Sequence, residues 1–275
     1  MLPHFLCIGA QEAGTTWLYQ RLNEHPHVWM PPINELHYFD HLFVPENRAW
    51  TKRQILRSVE QAIRWHVQKE KKINTYYIEY IVSMIGNYIF TEDWYRRTFE
   101  RKAAIYKIIW DITPEYCMIS DRGVEYVRKL LDVVKIIYII REPVDRALSQ
   151  IRTNFVRWGV SIPSADEREH FLKEPDIFTR GAYSSYIPRW RRAFAERDIL
   201  FLPFHQLASD PVGFLAAVEK FLGVEPKAWN LKAEPETAPT SGPMKPPPRI
   251  LDRLERRPQH QREFLVSEFG QDFVG

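Results

Sequence analysis

Two stretches of this sequence carry residues suited to holding an anion. The first is Gly9-x4-Gly14-Thr15-Thr16. Glycines let a backbone bend until several N–H groups converge on one oxyanion, and a helix that follows points its positive end at the same place. Thr15 and Thr16 add hydroxyl donors. A nucleoside-triphosphate enzyme has Lys at the position of Thr15 to grip the terminal phosphates, and a carboxylate for magnesium. Thr15 therefore argues for a ligand with less phosphate charge to neutralise. The second stretch is Ile139-Ile140-Arg141-Glu142-Pro143, followed by Arg146 and Ser149. A guanidinium supplies a bidentate fork and a hydroxyl adds a further donor, so a strand end and a helix face could close on one phosphate. Two plainer readings stand beside these. The loop could be a tight turn capped by threonine, and Arg141 could pair with Glu142 or Asp145 at the sheet end.

These residues need a scaffold, and hydrophobic patterning supplies one. Phe5-Leu6-Cys7-Ile8 reads as a buried strand that enters the Gly-bounded loop. Thr15 to Leu22 then reads as a helix with Leu18 and Leu22 on one face. Ala104–Trp110, Val133–Ile140 and Ile199–Leu202 are further apolar runs of strand length. Between them lie helices over Asp121–Leu131, from Pro143 to about Phe155, over Tyr183–Glu196 and over Pro211–Leu222, the last closed by Gly223. A final helix runs from Pro258 to Phe269. Residues from about 46 to 102 read as a helical insertion with Ile55, Val59, Ala62 and Ile63 on one face. Residues 157–182 read as a mobile loop region, and the proline-rich 233–249 as a loop or linker. Strands that are continuous apolar runs, alternating with helices, indicate an α/β fold: a P-loop-like, three-layer arrangement with a central parallel sheet flanked by helices. The chain is expected to form one domain over 1–275. Ligands in such sheets bind outside the carboxyl ends of the strands, where both anion stretches fall.

Composition narrows the classes. The 275 residues are 45% hydrophobic and 27% charged with a net charge of +3, which excludes a disordered or fibrous chain and argues against a nucleic-acid partner. The longest aliphatic stretch is too short for a bilayer, which needs about 20 apolar residues, so no membrane partner is expected. With no basic n-region ahead of Phe5, the reading is a cytoplasmic protein. Cys7 and Cys117 read as buried reduced thiols. His25 with His27, or His37 with His41, offer metal ligands by type, but packing roles fit better and no metal is expected.

Taken together, Gly9-Ala10-Gln11-Glu12-Ala13-Gly14-Thr15-Thr16-Trp17-Leu18 and Ile140-Arg141-Glu142-Pro143-Val144-Asp145-Arg146-Ala147-Leu148-Ser149 resemble the two nucleotide-binding elements of sulfotransferases that use 3′-phosphoadenosine 5′-phosphosulfate (PAPS). Asn34 to Asp40, Thr113-Pro114-Glu115-Tyr116, Arg180-Gly181-Ala182-Tyr183, Phe221 to Val224 and Phe264 to Phe273 are similar to further stretches of the heparan-sulfate-type and bacterial branch. The resemblance implies a metal-independent transfer of a sulfuryl group from PAPS to a hydroxyl or amine, releasing 3′-phosphoadenosine 5′-phosphate (PAP). It implies that Gln11, Ala13, Gly14, Thr15, Thr16 and Trp17 surround the 5′-phosphosulfate. It further implies that Arg141 and Ser149 hold the 3′-phosphate and that Tyr183 approaches the adenine. Ser241, Gly242 and Lys245 are candidates to close over the nucleotide.

The reaction needs a base for the acceptor proton and positive charge around the sulfonate. By resemblance Glu35 is that base, with a structural ion pair as the plainer reading. His37 is a second candidate because imidazole titrates in the right range. At position 12 the family usually has a lysine that stabilises the leaving group, and this chain has Glu12. Three accounts stay open: another cation such as Lys107 replaces it, the chain binds nucleotide with weak or lost transfer, or the residue is an engineered change. A P-loop kinase is the alternative from a different class. Insertions at 41–102 and 157–180 are expected to wall a small-molecule acceptor pocket, with Trp50, Trp65, Trp94, Tyr95 and Trp158 as candidate aromatic walls.

Overall fold

The computed structural model describes residues 1–70, 73–86, 88–100, 107–157, 175–231, 254 and 258–275. Along the chain the first elements are β1 (Phe5–Cys7), α1 (Thr15–Asn23), β2 (Val28–Trp29) and α2 (Tyr38–Phe43). Three helices follow, α3 (Arg48–Lys69), α4 (Thr75–Ser83) and α5 (Glu92–Thr98), and then β3 (Ile108–Ile112). The second half runs α6 (Asp121–Leu131), β4 (Lys135–Ile140), α7 (Pro143–Arg157), α8 (Pro175–Thr179), α9 (Tyr183–Ala193) and β5 (Ile199–Pro203). It ends with α10 (Gln206–Ser209), α11 (Pro211–Leu222), α12 (Gln259–Phe269) and α13 (Gln271–Val274).

Among the described residues the strands form one five-stranded parallel sheet in the order β2-β3-β1-β4-β5. This is the expected α/β architecture, a P-loop-like central sheet flanked by helices. The cause is visible in burial. Every residue of β1 is buried, and β3 and β4 are buried after their first residue. Such strands cannot alternate polar and apolar side chains, because both sheet faces are covered. Each fully buried Ile or Leu contributes about 1.5–3 kcal/mol relative to exposure.

The helices obey their end signals. Asp210 accepts from Gly213 N at 2.8 Å, Pro211 opens α11, and Gly223 at φ 70° closes it. Ser120 accepts from Gly123 N at the start of α6, whose Val124, Val127 and Leu131 are buried.

Several boundaries differ from expectation. Val133 is 80% exposed and follows Asp132 at φ 46°, so β4 starts only at Lys135. The expected start of the strand at Ala104 lies outside the described residues, and β3 extends on to Ile112. β2 has two residues, too few for a pattern, and α2 was not anticipated. Of the expected loop at 157–182, residues 158–174 lie outside the described residues, while Pro175–Thr179 is helical. Cys7 and Cys117 are free and buried, as expected.

Candidate active site

Strand adjacency puts the two anion elements side by side. β1 pairs with β4, and the pairing continues past β1 as Ala10 N donates to Ile139 O and Ile139 N donates to Gly9 O. The loop after β1 therefore lies against Arg141, the first residue after β4. Arg141 Nη1 donates to Glu12 O at 2.5 Å, and its guanidinium lies 4.3 Å from the Phe204 ring centroid. Burial lowers the Arg141 pKa somewhat, against the pull of Asp145 and Glu12.

The loop needs its glycines. Gly14 sits at φ 79° and a Cβ there would run into Leu207 Cδ1, while a Cβ on Gly9 would stand 2.9 Å from Pro114 O. Gly14 is also the N-cap of α1, with no side-chain cap on that helix. This removes the plainer reading of a threonine cap: Thr15 and Thr16 belong to the first helical turn, whose amides point outward from the helix end.

Both elements open on one cavity of about 630 Å³. Gln11, Glu12, Gly14, Thr15, Thr16, Trp17, Arg141 and Ser149 all line it, together with Glu35. Three residues expected at the site do not. Ala13 is fully buried behind the loop. Tyr183 is fully buried too, and its hydroxyl donates to Arg141 O at 2.9 Å. It steadies the end of β4 and is not placed to meet an adenine. His37 is also fully buried and does not line the cavity. Ser241, Gly242, Lys245 and Trp158 lie outside the described residues.

The Glu35–His37 cluster is built from the other side of β1. β3 pairs with β1, and past its end come Thr113, Glu115 and Tyr116. Thr113 Oγ1 accepts from Leu36 N at 3.1 Å, and the Tyr116 hydroxyl accepts from Tyr38 N at 3.2 Å. Both hydroxyls donate in turn to the Asp111 carboxylate at 2.8 Å, and Tyr95 donates to it at 2.9 Å. Burial raises the Asp111 pKa to about 6 even with these donors. This hub fixes the Glu35–Tyr38 segment, in which Glu35 and His37 both hold positive φ, 63° and 51°. Left-handed backbone at non-glycine residues costs energy and persists where the surroundings enforce it, most often at functional sites.

His37 sits among carboxylates. Its Nδ1 lies 3.1 Å from Asp40 Oδ2, its Nε2 3.3 Å from Glu35 Oε2, and Glu115 Oε2 is 4.0 Å from Nδ1. Burial alone would lower the His37 pKa. Asp40, Glu35 and Glu115 outweigh it and hold the pKa well above 6.5. That direction favours an imidazolium set against Glu35, and a charged imidazole takes up no further proton, which weighs against its reading as a second base. Burial and the Glu35 charge raise the Glu115 pKa, with His37 and Arg180 opposing. One ligating atom from each of Glu35, His37 and Glu115 falls within a 4.8 Å cluster. A protonated imidazole offsets part of the negative charge of these carboxylates. Two other histidines pack: His41 stacks on Phe90 with centroids 3.8 Å apart, and His25 lies against Glu219.

The cations of the cavity were only partly legible. Lys107 precedes β3, at the end of the strand opposite to the site, so it cannot replace the missing lysine. Arg53, Arg57 and Arg180 line the cavity instead. Trp50, Arg53, Gln54 and Arg57 share one face of α3 at helical spacing, the polar complement of the Ile55–Val59 face. Of the expected aromatic walls among the described residues, only Trp50 lines the cavity; Trp94 and Tyr95 are core and Trp65 is half exposed.

Comparison with known proteins agrees with this geometry. The profile of the sulfotransferase family matches residues 3–229. Heparan sulfate glucosamine 3-O-sulfotransferase 3B1 of Homo sapiens is 23% identical over 231 residues, 82% of this chain and 47% of that protein. Bifunctional heparan sulfate N-deacetylase/N-sulfotransferase 4 of Mus musculus is 25% identical over 239 residues, 82% of this chain and 23% of that protein. The chain thus spans about half or less of the length of these relatives. The crystal structure of a sulfotransferase from Alicyclobacillus acidocaldarius superposes with a TM-score of 0.65 at 20% identity, covering 98% of this chain and 96% of that one. The fold, the paired anion elements and the profile match lead to one conclusion: the chain belongs to the sulfotransferase family.

Proposed function

We propose that this chain moves a sulfuryl group from PAPS to a hydroxyl or amine of a small-molecule acceptor. The observation that carries the reading is the sharing of one cavity by the α1 N-terminus, the Arg141–Ser149 element and Glu35. The amides and hydroxyls of Thr15 and Thr16 bind the 5′-phosphosulfate, and Arg141 and Ser149 bind the 3′-phosphate. Glu35, 25% exposed and oriented by His37, takes the acceptor proton as the acceptor oxygen or nitrogen bonds to sulfur. The bond from sulfur to the bridging oxygen breaks, and its electron pair leaves with PAP. The cavity volume is that of a small-ligand site. Relatives named for heparan sulfate make a glycan the second acceptor class to assay.

No helix among the described residues is long and apolar enough to cross a membrane. A cytoplasmic location is part of the proposal. The alternative, a member that binds nucleotide without transferring, is favoured by one observation: the carboxylate of Glu12 lies inside the cavity.

The test uses the full chain with radiolabelled PAPS and a panel of hydroxyl and amine acceptors. Glu35→Gln is expected to cut transfer by about 10²–10⁴-fold, the range for a general base, while PAP still binds. Transfer that survives Glu35→Gln removes Glu35 as the base. PAP binding with no transfer to any acceptor selects the alternative.

A further inference from the structure

The side chain of Glu12 is already bound. Its Oε2 accepts from Ser149 Oγ at 2.7 Å and from Thr153 Oγ1 at 3.0 Å, two hydroxyls one helical turn apart on α7. Its carbonyl takes the Arg141 Nη1 proton at 2.5 Å. Its backbone holds φ 61°, a conformation that tethers the side chain over this face of α7. An anion of this chain thus occupies hydroxyl donors beside a guanidinium, which is the donor set that suits a phosphate.

Resting on the donor reading above, we propose that Glu12 is a specificity-determining residue. Its carboxylate fills the 3′-phosphate subsite of the chain's own donor pocket, and the phosphate must displace it to seat. A hydroxyl proton points along one line at a time, so Ser149 cannot donate to the carboxylate and to a phosphate oxygen together. Seating the 3′-phosphate also puts two anions of like sign into one cavity. The chain therefore discriminates poorly between a nucleotide with a 3′-phosphate and one without it. The lysine usual in the family at this position has no acceptor atom and could not fill the subsite.

The experiment is titration calorimetry of PAP and of AMP against the full chain, Glu12→Gly and Glu12→Gln. Glycine adopts φ 61° without strain and removes the carboxylate; glutamine keeps the shape and removes the charge. Glu12→Gly is expected to tighten PAP about tenfold or more, the worth of one charge-assisted hydrogen bond. AMP is expected to change by less than about threefold, and Glu12→Gln to fall between. Ser149→Ala is expected to weaken PAP little in the unaltered chain and clearly in Glu12→Gly, because only the freed hydroxyl can serve the phosphate. If both nucleotides tighten equally, or PAP does not tighten in either variant, Glu12 does not hold the subsite. If neither nucleotide binds to any of the proteins, the donor reading itself falls and takes this inference with it.

Discussion

Replacing His37 by glutamine removes one positive charge at a fully buried side chain and keeps an N–H within reach of Asp40. The structure sets the size of the effect. Three carboxylates, those of Asp40, Glu35 and Glu115, lie within 4.0 Å of the imidazole. Breaking a buried pair by removing one partner costs about 3–5 kcal/mol. Partial compensation remains, because Asn47 Nδ2 donates to Asp40 Oδ2 at 2.8 Å and Arg180 stands 3.8 Å from Glu115 Oε1. The expected loss is therefore about 3 kcal/mol, the low end of that range.

The pH dependence identifies the charge as the cause. The folded-state pKa of His37 is raised, so its contribution is fully present below the unfolded value of 6.5 and is lost as pH rises through the folded value. The stability gap between the two proteins is expected to narrow as pH rises above 7 through the raised folded-state pKa, where the wild-type imidazolium gives up its proton. On the acid side Glu115, whose pKa burial has raised, takes up a proton and eases the variant. The gap is then widest near neutrality. The assay is urea unfolding of both proteins across this range. A gap below about 1 kcal/mol at pH 7 would mean that no buried charge pair was broken. An imidazole nitrogen spectrum that shows His37 neutral at pH 7 would overturn its assignment as the orienting cation of Glu35.

Two further substitutions test the nucleotide reading. In Glu12→Gly, where the 3′-phosphate subsite is open, Arg141→Ala is expected to weaken PAP by about tenfold or more beyond its effect on AMP, since only PAP has the phosphate that the fork serves; equal losses in that background would remove Arg141 from the 3′-phosphate. Glu12→Lys is expected to raise the transfer rate at saturating donor while nucleotide binding is retained, because it restores the residue type that, by resemblance, stabilises the leaving group. A rate that stays level or drops would defeat the idea that a lysine is what the loop lacks.

The sequence made the sheet readable for a physical reason. Ile136 to Ile140 and Phe5 to Cys7 are covered on both faces, so they stand out as unbroken apolar runs, and Asp210, Pro211 and Gly223 mark α11 at both ends. The two anion elements were readable because each is contiguous in the chain. What stayed hidden depends on distance across the fold. Glu115 meets His37 only because β3 lies beside β1. Arg53 and Arg57 reach the cavity only because α3 turns its polar face inward. Burial reassigned Tyr183 and His37, since a tyrosine or histidine has the same letter whether it touches ligand or holds a neighbour that does. Lys107 failed as a substitute cation because position along a parallel strand decides which end of the sheet a residue serves.

The charge balance of the cavity follows from these placements. Four arginines, Arg53, Arg57, Arg141 and Arg180, line it against the carboxylates of Glu12, Glu35 and Glu115. Two of the four are already engaged, Arg141 by the Glu12 carbonyl and Arg180 near Glu115. Arg53 and Arg57 have no carboxylate within 4.0 Å among the described residues, and both are exposed on the same helix face. A guanidinium keeps its charge at every working pH, so these two remain cationic whatever the anion beside them does. The helical insertion thus supplies the positive charge that the loop gave up at position 12. That charge comes from α3, whereas Glu12 is held by hydroxyls of α7. A negatively charged ligand in this cavity therefore meets two guanidiniums with no carboxylate partner among the described residues as well as the Glu12 carboxylate.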